Sequence, residues 1–175
     1  MKKIFILPVA IFSIAILFNS CKKSSDNKPV TTASSMKLTL NGTALSYNTC
    51  LASDATVGSS KQTLVTGLNL TNNTPGNDSF ELDIMHDIAT LKAGEVFPAS
   101  TSFGQSDSMA LIYFPNSTDT FETQPANAQG TVTITSVDSG VISGTFSGKL
   151  FADNDLSGTT LKYTVTSGTF TARTK

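Results

Sequence analysis

The side chains able to act as bases or soft nucleophiles near neutral pH are few: one histidine, His86, and two cysteines, Cys21 and Cys50. A general base or a metal centre needs convergent partners, and one histidine cannot supply a multi-histidine zinc site. His86 follows Ile84 on the apolar parity of an alternating segment, with Asp83 and Asp87 near it in sequence, and reads as a strand-end residue. No local motif joins it to Cys50 as a nucleophile–base dyad. Among the carboxylates, Asp153, Asp155 and Ser157-Gly158 imitate the opening of a D-x-D-x-[DN]-G calcium loop. Its twelfth position, where a bidentate Glu belongs, is Thr164 inside an alternating run. Asp, Asn, Ser and Gly are also the ordinary material of hairpin loops, so Asp153 and Asp155 stand as the calcium candidate while no metal is expected. Glu81 and Asp83 lie two apart on one outward face. A glycosidase needs its carboxyls on opposite sides of a sugar, so this pair reads as solvent-facing surface. There is no phosphate-binding glycine loop between strand and helix and no GxSxG elbow. The expectation is no catalytic residue, no cofactor and no enzyme.

The elements that hold these residues have a β texture almost throughout. β-Branched residues alternate with polar ones, and no stretch sustains apolar residues at i, i+3, i+4 and i+7. Lys37 to Leu40 meets Asn41-Gly42 and then Thr43 to Tyr47. Asn-Gly between alternating segments is the strongest short hairpin signal, because both turn residues need positive φ. Gln62 to Leu70 predicts a strand with Leu64, Leu68 and Leu70 on one face, and residues 72 to 77 form a turn cluster. Phe80, Leu82 and Ile84 alternate with Glu81, Asp83 and Met85, and Met109 to Phe114 is a nearly continuous apolar run ended by Pro115. Thr131 to Thr135 alternates strictly. Ile142, Phe146 and Leu150 then share a face with Gly144 and Gly148, glycines that mark a bulge or a tight bend. Leu161, Tyr163 and Val165 open the last strand. These segments predict an antiparallel β-sandwich of about eight to ten strands, with an up-and-down, lipocalin-like barrel as the alternative.

Ahead of this domain, Met1-Lys2-Lys3 precedes an apolar run from Ile4 to Phe18, then Ser20 and Cys21. A cationic start, a short apolar stretch and a small residue before the cut describe a secretory signal, whereas a membrane-spanning helix needs about 20 apolar residues. A cysteine just after the cut resembles the lipobox of bacterial lipoproteins, with Phe18 and Ser20 where Leu and Gly or Ala are usual. That resemblance implies a diacylglycerol on Cys21 as the mature N-terminus, and Lys22 after it implies the outer membrane. Residues 1–20 are then a lipoprotein signal peptide, 21–35 the lipidated cysteine and its tether, and 36–175 one β domain. The tether, KKSSDNKPVTTASS after Cys21, reaches roughly 20 Å on average and about 50 Å when stretched. Cleavage takes Lys2 and Lys3 from 12 Lys+Arg and nothing from 13 Asp+Glu, leaving ten bases against thirteen acids. Such a balance, with no lysine cluster, offers no footprint for nucleic acid. With Cys21 acylated, Cys50 has no disulfide partner and is either a buried small hydrophobe or an exposed thiol open to intermolecular pairing.

GTVTITSVDSGVISGTFSGKLF at 130 to 151 and LKYTVTSGTF at 161 to 170 resemble the C-terminal signature of a group of small bacterial lipoproteins with an uncharacterised β domain. Leu40-Asn41-Gly42-Thr43 is similar to that group's early hairpin. The resemblance implies no activity, since the group has none to transfer. Leader, tether and β domain together imply a lipid-anchored binding module for a small molecule, glycan or protein, in contact with the membrane through its lipid, with a hydrolase of unconventional site as the alternative. The chain has no tryptophan for sugar stacking, leaving Tyr47, Tyr113 and Tyr163. Of eleven phenylalanines, Phe5, Phe12 and Phe18 leave with the signal, and eight remain for a core or an apolar pocket.

Overall fold

The computed structural model describes residues 33–72 and 74–174; Cys21, the 1–20 leader and most of the 21–35 tether lie outside the described residues. The strands are β1 (Ser35–Leu40), β2 (Thr43–Tyr47), β3 (Thr49–Val57), β4 (Ser60–Thr71), β5 (Thr74–Ile84), β6 (Val96–Pro98), β7 (Met109–Phe114), β8 (Phe121–Glu122), β9 (Gly130–Asp138), β10 (Val141–Ala152) and β11 (Leu161–Thr174). Single 3-10 turns at Ile88–Thr90 and Pro125–Asn127 are the only helical pieces among the described residues. The count exceeds the eight to ten expected because two strands are very short and one, β3, carries no recognisable alternation. Its inward residues are Cys50 and Ala52, too small to mark a face.

The eleven strands of the described residues join one sheet, in the order β2-β1-β11-β3-β4-β5-β7-β8-β10-β9-β6, and β10 also pairs with β11. The ladder therefore returns to its start, running from β11 through β3, β4, β5, β7, β8 and β10 back to β11. The circuit surrounds one common core, so the fold is all-β, a single sheet of sandwich-like or barrel-like form. The circuit is not up-and-down. β11 meets β3 in parallel, Arg173 opposite Leu51 and Thr174 opposite Ala52, and a second parallel contact joins Ala99 to Met109. The other strand pairings are antiparallel.

The Asn-Gly hairpin forms as its sequence requires, with φ 48° at Asn41 and 83° at Gly42. Asn41 does more than turn. Its side-chain amide donates to the Lys162 carbonyl at 2.9 Å and its Oδ1 accepts from the Thr164 N–H at 2.7 Å, stapling the hairpin to β11. In β4 Thr63, Val65 and Gly67 face inward, while Leu64, Leu68 and Leu70 are half-buried. The inner side of β4 has no room for leucine near its middle. A Cβ on Gly67 would meet the Met36 sulfur at 2.8 Å and the Tyr47 ring at 3.2 Å.

The core is aromatic at its centre. Phe80 of β5 faces Phe146 of β10 with centroids 5.5 Å apart, and Phe146 meets Phe170 of β11 at 6.4 Å. These rings contact one another instead of standing apart around a space. Each such buried side chain contributes about 1.5–3 kcal/mol through burial alone. The two SGTF segments explain each other here: Gly144 pairs with Phe170 and Phe146 with Gly168. Each glycine leaves the space that the other segment's ring fills.

Candidate functional site

The outer face of β3, β4, β5 and β7 follows directly from strand parity. Because Phe80, Leu82 and Ile84 point inward, Glu81 and Asp83 point out, and the register sets their neighbours. Asp83 lies between Leu64 of β4 and Ala110 of β7. Glu81 lies between Thr66 and Ile112, and Leu51 of β3 extends that row beyond Thr66. Every one of these residues is half-buried. Two carboxyls therefore sit among leucine and isoleucine side chains on an outside surface, which corrects the expectation that they form a solvated face.

Their electrostatics follow from that setting. Desolvation pushes the Asp83 carboxyl up to about 7, with the Glu81 charge adding to it. Oδ1 of Asp83 is buried and meets no donor among the described residues. Glu81 is likewise raised by desolvation, opposed by a hydrogen bond from the Thr66 hydroxyl at 3.2 Å. Glu122 of β8, paired with Ile112 on the far side, is also raised by burial despite a 2.9 Å hydrogen bond from the Gln124 amide. At neutral pH Asp83 is partly in its neutral form, and burial disfavours the charged form of Glu81 and Glu122 as well, so a cation that arrives with apolar groups around it is complementary to this surface.

A second cluster forms just past the end of β5, around His86. Its Nδ1 lies 2.8 Å from Oδ1 of Asp107, and its Nε2 lies 3.1 Å from the hydroxyl of Thr90. The ring rests against Phe97 of β6, centroids 5.3 Å apart. Asp107 is placed by reciprocal backbone bonds, its N–H to the Met85 carbonyl at 3.0 Å and the Met85 N–H to the Ser108 carbonyl at 2.9 Å. Its φ of 53° is in the left-handed region, which Asp tolerates better than most residues. Asp87 is bonded elsewhere: it caps the 3-10 turn by accepting from the Ala89 N–H at 3.0 Å and pairs with Lys61 at 2.6 Å. Asp83 lies on the carboxylate face, and the partners of His86 are Asp107 and Thr90. Thr90 stands at i+4 in a turn, a signal present in the sequence; Asp107 is 21 residues away and has none.

Cys50 is fully buried and free, and desolvation raises its thiol to about 12, so it belongs to the core. The structure does not bring it to His86 as a dyad. Asp155 turns its carboxylate into its own loop, accepting from the Ser157 hydroxyl at 2.7 Å and the Thr160 N–H at 2.8 Å, and these bonds hold it below the usual carboxylate range. Asp153 is exposed beside it, with its backbone N–H on the Thr120 carbonyl. Among the described residues no group of three acidic, histidine or cysteine side chains converges as a metal site. No family model matches the chain, nor does any curated protein or solved structure.

Proposed function

We propose that this chain is a lipid-anchored envelope protein of the outer membrane whose β domain binds a protein partner through the outer face of β3, β4, β5 and β7. The observation that carries the binding reading is the setting of Asp83, a carboxyl raised by desolvation on an outside surface, flanked by Leu64 and Ala110. A partner offering a lysine or arginine among apolar side chains complements it. The apolar groups bury against Leu51, Leu64 and Ile112, and the cation relieves the cost of ionising Glu81 and Asp83. The mutual contact of Phe80, Phe146 and Phe170 supports a surface site over an internal cavity. The lack of tryptophan argues against sugar stacking. Anchoring rests on the leader and Cys21, and the likeness to small bacterial lipoproteins rests on the C-terminal strands.

Site-specific photo-crosslinking tests the binding reading. A photoreactive residue placed at Leu64 of the full chain, in its native cells, is expected to give one discrete adduct that disappears when Asp83 is also changed to lysine. The same residue at Thr145, on the opposite outer face, is expected to give none. Equal adducts from both positions, or none from Leu64, contradict the assigned face.

A further inference from the structure

We infer that Thr90 is a nucleophile for activated acyl and phosphonyl esters, with His86 as its general base and Asp107 as the positioning residue. This goes beyond the binding role and uses none of the residues of the carboxylate face. The relation is one of geometry, not of motif: a hydroxyl, an imidazole and a carboxylate in series, each within hydrogen-bond reach of the next.

Hydrogen-bond bookkeeping sets the direction of proton flow. An ionised Asp107 only accepts, so the proton of a neutral His86 must sit on Nδ1, 2.8 Å from Oδ1. Nε2 then has a lone pair and no hydrogen, and the Thr90 hydroxyl, 3.1 Å away, is the donor that meets it. Thr90 has one proton, which it also donates to the Asp87 carbonyl at 3.0 Å, so the hydroxyl must rotate from that carbonyl to Nε2 for the transfer to occur. Once His86 takes the proton, Nε2–H points back at the Thr90 oxygen. The Phe97 ring fixes the plane of the imidazole, and the paired backbone bonds between Met85 and residues 107 and 108 fix the carboxylate. Thr90 itself is exposed, so a reagent reaches its oxygen.

The chemistry balances without any other reactant. The Thr90 oxygen forms a bond to the acyl carbon or to phosphorus, the bond to the leaving group breaks, and the Thr90 proton passes through Nε2 to the departing alcohol or fluoride. For an acyl ester, water then attacks the acyl-threonine with His86 again as base, releasing the acid and restoring the hydroxyl. A positioned general base of this kind contributes about 10²–10⁴-fold.

Incubating the full chain with a fluorophosphonate and mapping the adduct by mass spectrometry tests the assignment. The expected result is one phosphonyl adduct, on Thr90, retained in Thr90→Ser, lost in Thr90→Val, and formed about 10²-fold more slowly in His86→Gln. Asp107→Asn is expected to slow labelling and Asp107→Glu to restore part of it, at melting temperatures that do not track the labelling rate. No adduct on Thr90 of the unaltered chain, where a serine hydrolase in the same tube is labelled, overturns the proposal whatever the variants do. Equal rates for His86→Gln and the unaltered chain overturn the role of His86. Failure of Asp107→Glu to rescue overturns that of Asp107.

Discussion

Gly144 lies beneath the ring of Phe170, so closely that a Cβ on the glycine would stand 2.5 Å from that ring and 2.5 Å from the Thr133 carbonyl. The ring has some freedom to move; the backbone carbonyl in the neighbouring strand does not. Gly144→Ala is therefore expected to cost about 1–3 kcal/mol, a typical overpacking penalty, read as a fall in melting temperature of several degrees. Thr145→Ala, one residue along and pointing to solvent, is expected to stay within about 0.5 kcal/mol. A Gly144→Ala protein as stable as its parent contradicts the reciprocal glycine–phenylalanine packing.

Asp83 makes stability depend on pH in an unusual direction. An acid whose folded value, about 7, exceeds its unfolded one binds more protons folded than unfolded between roughly pH 4 and 7. Stability from this residue is fully present below that window and declines as pH rises through it. Asp83→Asn is expected to flatten this decline and to raise stability at pH 8 by about 1–2 kcal/mol, allowing for the water that still meets this face. Urea denaturation of both proteins at pH 4, 6 and 8 measures it. A variant less stable than its parent at pH 8 contradicts the desolvated setting of the carboxyl.

How far such features were legible in the sequence depended on how local they were. The Asn41-Gly42 hairpin needs only two residues of positive φ, and the alternation of Phe80, Leu82 and Ile84 with Glu81 and Asp83 gives correct parity from the strand alone. The leucines of β4 mark a face without saying which side meets the core; that is decided by Met36 and Tyr47 from β1 and β2, which fill the space beside Gly67 on its inner side. β3 was silent because its inward residues are small. The carboxylate face took its character from the register of β4, β5 and β7, which no single strand encodes. The His86–Asp107 contact likewise depends on two loop ends meeting across 21 residues.

Cys50 offers a simple probe of core integrity. Fully buried, with its thiol raised to about 12, it is expected to resist alkylation in the folded protein. In a Cys21→Ser background one thiol is expected to appear only on denaturation. Rapid labelling of folded protein contradicts its burial.

Whether the β domain works at a membrane surface is the claim on which the partner reading depends, and Cys21 decides it. Two or more acyl chains hold a protein on a bilayer essentially permanently, while a chain without them has only its weakly acidic domain and no such attraction. The decisive measurement is incorporation of labelled fatty acid into the unaltered chain and into Cys21→Ser, with membrane and soluble fractions separated. Label and membrane retention are expected for the first, and for the second no label with release to the soluble fraction or arrest as precursor. Equal labelling of both proteins, or an unlabelled parent found only in the soluble fraction, would contradict the claim.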